Sequence, residues 1–122
     1  MAAEKREYMI DIEAVKKDIV ERLKPLDPVK IILFGSYAYG KTGEASDIDL
    51  IVVTRDDYIP ENFKEKSAIH NKVASAMQDI LQEYPTDLIT HTKKMHDLFL
   101  KSDSFFAREI WDKGVVLYER CH

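Results

Sequence analysis

The sequence predicts an α+β domain in which helices pack on a mixed β-sheet, and three observations support this fold class. Short runs of β-branched and apolar residues, as in "VKIILF" and "DIDLIVVT", are typical of buried strands. Segments with apolar residues at helical spacing alternate with these runs. Glycine and proline residues separate the segments, so the predicted order is α, β, β, α, β, α, α, β.

The segments follow one another without a repeat or an obvious linker, so residues 1–122 are predicted to form a single domain. Helices are expected over residues 11–24, over a long stretch that ends near Tyr84, briefly at residues 95–99, and from the N-cap Ser104 to Lys113. Strands are expected at residues 29–34, 47–54, 86–91 and 115–119. Residues 56–62 are expected to form a loop.

Size and composition limit the classes of protein to consider. The chain has 122 residues, a formal net charge of −4 and one cysteine, Cys121, which can form neither an internal disulfide nor a thiolate metal site. Its 18 basic residues are scattered among 22 acidic ones, which argues against stable binding of nucleic acid. No apolar stretch approaches the roughly 20 residues that cross a bilayer, and the N-terminus is charged, so a cytoplasmic protein is expected.

The segment "GSYAYGKTGEASDIDL", residues 35–50, supports two interpretations. Residues 35–42 match the phosphate-binding pattern G-x-x-x-x-G-K-[ST], the P-loop. A P-loop binds phosphate at the start of a helix that opens at its lysine and threonine. Only four residues separate Thr42 from the strand pattern at Asp47, which is too few for that helix and for a parallel crossover. The P-loop is therefore the less favoured interpretation.

In the second interpretation, two carboxylates form a metal site. Side chains alternate along a strand, so Asp47 and Asp49 are predicted to share one face, while Ile48, Leu50 and Val52 face the other side. Like charges this close favour a bound cation, and carboxylate ligands suit Mg²⁺ that arrives with a nucleoside triphosphate. In a site with two ions, one activates the attacking oxygen and the other stabilises the leaving pyrophosphate. The structural alternative is that both aspartates merely begin an exposed edge strand.

The pattern Gly35-Ser36, ten residues, Asp47-x-Asp49 resembles the signature of the minimal nucleotidyltransferases, small members of the DNA polymerase β-like superfamily. Residues 46–50 extend the likeness to the form S-D-x-D-L. The order of the segments and the C-terminal "SFFAREIWDKGVVLYE" are also similar to that family, so the resemblance covers most of the chain. It implies the nucleotidyltransferase (polymerase β-like) fold.

The resemblance also implies roles for individual residues. Asp87, on the next strand, is expected to be a third carboxylate that helps Asp47 and Asp49 to hold two Mg²⁺ ions and accepts the proton of the incoming hydroxyl. Its alternative role is that of a capping or strand-edge aspartate. The residues expected to bind the triphosphate of ATP are Gly35, Ser36 and Ser46. Lys41 is a further candidate, and its alternative role is that of a flexible, solvated lysine.

The implied function is the transfer of AMP from ATP to a hydroxyl, with release of pyrophosphate. Minimal family members typically act with an all-helical HEPN protein, so the chain is expected to be an antitoxin that adenylylates a tyrosine of a HEPN toxin. Two alternatives stay open. One is a small-molecule nucleotidyltransferase that works as a homodimer, and the other is a protein that neutralises its partner by binding alone.

The histidines and the C-terminal aromatic residues receive no catalytic role. His70, His91 and His96 lack the spacing of a zinc site and are expected to be solvated or to cap helices. Three aromatic residues near the C-terminus are expected in the core: Phe105, Phe106 and Trp111. Any of them that is exposed would mark a protein interface.

Overall fold

Two layers of helices enclose a β-sheet in the computed structural model of the protein, which describes residues 10–40 and 46–120. The strands are β1 (Lys30–Phe34), β2 (Ile48–Val53), β3 (Thr86–His91) and β4 (Val115–Glu119). The helices are α1 (Ile12–Leu23), α2 (Ser36–Tyr39), α3 (Phe63–Ala76), α4 (Gln78–Glu83), α5 (Lys93–Lys101) and α6 (Phe105–Lys113). A single 3₁₀ turn, Lys24–Leu26, follows α1.

The described strands form one mixed sheet in the order β3-β2-β1-β4. β1 runs antiparallel to both β2 and β4, whereas β2 and β3 run parallel. The mixed sheet predicted from the sequence is thereby confirmed. Because β2 lies between β1 and β3, the alternative in which Asp47 and Asp49 begin an exposed edge strand is wrong.

Apolar side chains cover both faces of the sheet, because its interior strands are almost continuously apolar. The first face packs against α1, α3 and α4, and its buried residues are Val15, Ile19, Leu23, Ile31, Leu33, Ile48, Leu50, Val52, Val73, Met77 and Ile80. The second face packs against α5 and α6, and its main residues are Ile32, Phe34, Ile51, Val53, Phe99, Phe106 and Ile110. The alternation along β2 therefore places Ile48, Leu50 and Val52 on one face, as predicted.

The predicted helices are present, although α5 (Lys93–Lys101) is longer than the brief helix expected at residues 95–99. The predicted long helix is divided, because Met77 leaves helical geometry (φ −119°, ψ 29°) between α3 and α4. The change of direction lets both Met77 and Ile80 reach the first face of the core. The one-turn helix α2, directly after Gly35, was not predicted. None of the helices in the described residues is both long enough and apolar enough to span a membrane.

We expect Leu23→Ala to lower the free energy of unfolding by about 2–5 kcal/mol, because it leaves a cavity in a packed core. Leu23 is fully buried in the first face. Urea denaturation measures the change, and Glu21→Ala, at an exposed position of the same helix, is the control, with an expected change within about 0.5 kcal/mol. Equal midpoints for the two variants would contradict the packing described here.

Candidate active site

β2 and β3 bring two of the three predicted carboxylates side by side. In the parallel ladder, Asp49 is paired with Asp87. Paired residues of neighbouring strands point to the same face and lie about 4.8 Å apart. Asp47 directly precedes β2, and its charge acts on Asp49. These three residues, called the carboxylate corner below, therefore lie together at the start of β2 and β3.

The carboxylate of Asp49 is in an unfavourable electrostatic environment. Burial raises its pKa above the usual value, and the negative charges of Asp87 and then Asp47 raise it further. Asp47 and Asp87 are exposed, whereas Asp49 is half-buried. Of the three, Asp49 is thus the carboxylate held where its own charge is least well solvated, and a nearby cation would favour its ionised form.

Gly35 lets the backbone pass directly beside Asp49. Its dihedral angles, φ 73° and ψ −156°, belong to a region that is essentially restricted to glycine. A Cβ atom on Gly35 would overlap Oδ2 of Asp49, so the carboxylate occupies the space that a side chain would need. Gly40 also has a positive φ, 74°, but an added Cβ there would meet nothing within 4 Å. Position 35 therefore requires glycine for two reasons: its backbone angles, and the space that the Asp49 carboxylate occupies.

The two serines predicted to bind phosphate lie at the same end of the sheet. Ser36 is the first residue of α2, and Ser46 precedes Asp47; both are half-buried.

Lys41 and Cys121 fall outside the described residues. β2 already begins at Ile48 and runs antiparallel to β1, an arrangement that cannot accommodate the parallel strand-helix-strand unit of a P-loop.

Two tyrosines of α2 border the carboxylate corner and were not among the predicted residues. Burial raises the pKa of Tyr37, and the charge of Asp47 raises it further. Burial also raises the pKa of Tyr39, followed by the charge of Glu109 on α6. The ammonium of Lys113, also on α6, lies 5.7 Å from the centre of the Tyr39 ring. The sequence did not single out these tyrosines, because they lie beside the carboxylate corner only when residues 36–39 form the helix α2, which was not predicted.

The carboxylate corner does not form a ready set of metal ligands. Across residues 10–40 and 46–120, no group of three His, Cys, Asp or Glu side chains is arranged to hold a metal ion. Repulsion between like charges opposes the close approach that a shared ion would require. The structure therefore brings the three predicted residues into one corner without their oxygens already converging.

The prediction of solvated or capping histidines is wrong for His91 and His96. Their Nδ1 atoms lie 3.0 Å apart, and His96 is buried. Burial, then His96, then Lys66 lower the pKa of His91 to about 4, and burial is the main cause that lowers the pKa of His96. Both rings also contact Phe99. The pair is therefore part of the packing between β3 and α5.

The prediction that the C-terminal aromatic residues lie in the core holds for one of the three. Phe106 packs edge-on against Phe34 and Phe99, with ring centroids 5.5 and 5.4 Å apart. Phe105 and Trp111 are 85% and 71% exposed, because the helical period turns them away from the sheet. Phe105 and Trp111 are therefore the exposed aromatic residues that, by the expectation from the sequence, would mark a protein interface.

Comparison with known proteins gives the family of this chain. The sequence profile of the nucleotidyltransferase domain matches residues 12–111, a range that contains the carboxylate corner, Gly35 and both serines. The chain belongs to the nucleotidyltransferase domain family. The predicted family resemblance, fold class and enzyme class are thereby confirmed.

Two relatives of this nucleotidyltransferase come from Methanocaldococcus jannaschii. The protein named "Putative protein adenylyltransferase MJ0604" is 32% identical over 108 residues, which cover 88% of this chain and 90% of the relative. The protein named "Putative protein adenylyltransferase MJ1305" is 30% identical over 94 residues, 77% of this chain and 60% of the relative. The nucleotidyltransferase therefore spans less than two thirds of the length of the second relative.

A solved structure has the same fold as this nucleotidyltransferase. A chain in a crystal structure described as a toxin-antitoxin with AMP-PNP superposes with a TM-score of 0.52. The match covers 86% of this chain and 73% of that chain, at 24% sequence identity. At this identity, the likeness establishes a common fold.

We expect Gly35→Ala to destabilise the nucleotidyltransferase more than Gly40→Ala does. Both substitutions force alanine into a sparsely populated backbone region, which costs about 1–3 kcal/mol, but only at Gly35 is that region essentially restricted to glycine and would the new methyl group overlap a carboxylate. The free energies of unfolding from urea denaturation give the comparison. Equal losses would show that Asp49 does not fill the space beside Gly35.

We expect Asp87→Asn to lower the pKa of Asp49, because it removes one of the two negative charges that raise this pKa. Carbon-13 NMR titration of the Asp49 carboxyl measures the change. Asp57→Asn, at an exposed position outside the carboxylate corner, is the control and should leave the titration of Asp49 unchanged. An Asp49 titration that does not respond to Asp87→Asn would contradict the pairing.

The same pKa shift has a consequence for stability. The pKa of Asp49 is higher in the folded chain than in the unfolded one, so between the two values the folded state binds more protons. The contribution of Asp49 to stability therefore falls as the pH rises through this window, whereas the lowered pKa values of Asp79 and Asp103 act in the opposite direction. The difference between the wild type and Asp87→Asn isolates the contribution of Asp49, and the wild type should lose more stability than the variant as the pH rises. Thermal unfolding at a series of pH values tests this sign.

Proposed function

We propose that this nucleotidyltransferase transfers AMP from ATP to a hydroxyl of a partner protein, and that the carboxylate corner carries the reaction. The observation that supports the site is the alignment of Asp49 with Asp87 in neighbouring strands, directly beside Gly35. The names of the two relatives support protein adenylylation as the reaction. The AMP-PNP in the structure with the same fold supports an adenine nucleotide as the donor.

The carboxylate corner suits Mg²⁺. Burial raises the pKa of Asp49, and so do the negative charges of Asp87 and Asp47, which a divalent cation would neutralise. Carboxylate oxygens are ligands that Mg²⁺ prefers. In this proposal Asp47, Asp49 and Asp87 hold two ions, with Ser36 and Ser46 as hydrogen-bond donors to the triphosphate. When bound, Mg²⁺ would neutralise charge on the triphosphate and on the leaving pyrophosphate.

Asp87 is the residue proposed to handle the proton. It is exposed and lies on β3, at the edge of the described sheet, where the hydroxyl of an acceptor can reach it. The hydroxyl oxygen forms a bond to the α-phosphorus of ATP, and the hydroxyl proton passes to the Asp87 carboxylate. The bond from the α-phosphorus to the bridging oxygen breaks, and pyrophosphate leaves with that electron pair.

The partner in this proposal is an all-helical HEPN toxin, with a tyrosine as acceptor and the nucleotidyltransferase as its cytoplasmic antitoxin. The small domain described here leaves its carboxylate corner at an exposed edge, so a second protein would have to supply the other side of the cleft. The toxin-antitoxin structure with the same fold supports a toxin as that protein.

We expect the nucleotidyltransferase to label the protein product of the adjacent reading frame when the two are incubated with Mg²⁺ and ATP labelled in the α-phosphate. Asp49→Asn and Asp87→Asn should lower the rate of labelling by about 10²–10⁴-fold, the contribution typical of a residue that assists proton transfer or charge stabilisation. Mass spectrometry of the labelled product identifies the modified residue.

Asp57→Asn is the matched control, because it makes the same chemical change at an exposed position away from the carboxylate corner. It should label at the wild-type rate. If no variant and no wild-type protein labels the product, the proposed reaction is wrong. If Asp49→Asn neutralises the toxin as well as the wild type does, binding alone is the mechanism.

A further inference from the structure

A groove of about 550 Å³ lies along the outer edge of β3 and begins one residue after Asp87. α3 forms one wall with Phe63, Lys66 and His70, and Met95 of α5 lies at the other side. Within residues 10–40 and 46–120, no strand pairs with this edge of the sheet. A cleft of this volume is in the range that binds a ligand or a short peptide segment.

The edge of β3 offers backbone groups to this groove. Ile48 donates its N–H to the carbonyl of Pro85 at 2.9 Å, and Thr54 donates to the carbonyl of His91 at 2.8 Å. In a parallel ladder, alternate residues of a strand face the same neighbour, so the odd-numbered residues of β3 turn towards β2. The N–H and C=O groups of Leu88 and Thr90 therefore point outwards, and both residues line the groove, where Leu88 is half-buried and Thr90 is 7% exposed. Such an edge pairs readily with an added strand.

We propose that the groove binds an extended segment of the acceptor protein, which pairs with β3 as an additional strand and places a hydroxyl side chain at the carboxylate corner. This inference rests on the proposed function and names how its substrate is held. Asp49 and Asp87 are paired across β2 and β3, so one residue of a strand added to β3 would lie opposite Asp87 in the same row. The residue opposite Asp87 would lie about 4.8 Å from it with its side chain on the same face.

This register selects the chemistry of the acceptor residue. A Ser, Thr or Tyr opposite Asp87 directs its hydroxyl into the carboxylate corner, beside the group proposed to accept its proton. The transfer step itself is the one described above, with ATP as donor and pyrophosphate as leaving group. Pairing with β3 would hold the hydroxyl in the orientation that the reaction needs, so less entropy would be lost in the transfer step.

The lining of the groove predicts the rest of the segment. Among the described residues that line the groove, Lys66 is the one that carries a charge as Lys, Arg, Asp or Glu. The groove therefore presents a positive charge in a protein whose net charge is −4. Lys66 lies on α3 at the side of the groove, so an acidic side chain of the bound segment is expected next to it. Phe63 is 83% exposed at the same groove and offers an apolar contact. The occupant is thus an extended segment with an acidic residue beside Lys66 and an apolar residue beside Phe63, called the acidic segment below.

The first test blocks the strand edge. Thr90→Pro removes the outward N–H of Thr90, whereas Thr90→Ala keeps that N–H and also removes the hydroxyl. With the product of the adjacent reading frame as the probe, Thr90→Pro should label about tenfold more slowly than Thr90→Ala, the loss expected for one backbone hydrogen bond. Binding of a fluorescent ATP analogue with Mg²⁺ should be the same in both variants, which separates acceptor docking from nucleotide binding.

The second test changes only surface charge and does not depend on the folding of a proline variant. Lys66→Glu should slow labelling of the same probe about fivefold, because it reverses the charge that faces the acidic segment. Lys64→Glu is the matched control, since Lys64 is exposed on the same helix and does not line the groove. It should label at the wild-type rate.

The third test reads the pairing directly. Amide hydrogen exchange, followed by NMR, should show that the N–H groups of Leu88 and Thr90 exchange more slowly in the complex with the probe than in the free protein. Protection already present in the free, dilute protein, or appearing only as its own concentration rises, would assign the edge to this chain or to a second copy and overturn the proposal.

The outcomes separate this inference from the proposed function. Labelling that is normal in the wild type and equal within both pairs of variants, with Leu88 and Thr90 unprotected in the complex, overturns the docking mode and leaves the reaction intact. Labelling that is absent from every protein overturns the reaction and the docking together. Slower labelling in Thr90→Pro and Lys66→Glu, with new protection at Leu88 and Thr90, supports both.

Discussion

The close contact between the backbone of Gly35 and the carboxylate of Asp49 constrains the rest of the site. Gly35 ends β1 at the point where Phe34 pairs with Asp49, so the turn that leaves β1 must cross the first carboxylate of β2. A residue without a side chain is the solution that leaves room for this carboxylate. The same turn starts α2, which sets Ser36 and the two tyrosines around the carboxylate corner.

Apolar contacts in the core hold the carboxylate corner in place, although repulsion among its negative charges opposes this arrangement. Asp49 lies in an interior strand whose other members are buried on both faces, and those apolar contacts offset the cost of gathering negative charge. Asp87 is brought alongside by the parallel register of β3, which is itself fixed by apolar residues of that strand such as Leu88 and Ile89. Stability and chemistry therefore come from different residues of the same two strands.

The sequence carries enough information for the elements but not for every contact between them. The apolar runs at residues 29–34 and 47–54 predicted β1 and β2 because strand periodicity is local. Strand alternation predicted that Asp47 and Asp49 share a face, whereas Asp87 was expected only from the resemblance to the family. The break at Met77 escaped prediction because the apolar stripe continues across it. The exposure of Phe105 and Trp111 escaped because aromatic residues predict burial only on average. The pairing of His91 with His96 depends on how α5 folds back on β3, which is a tertiary property.

The position of the two aligned aspartates in the sheet also gives them different freedom to change. Asp49 is bound by strands on both sides and packed against a glycine, so its backbone has one stable arrangement. Asp87 has a strand neighbour on one side within the described chain, and the groove begins at the next residue, Leu88. Under the proposed function, substitutions along that outer margin would change which partner is bound, whereas substitutions around Asp49 would change how the nucleotide is held. Diversification of targets in such a small catalytic module is thus expected to concentrate at its periphery.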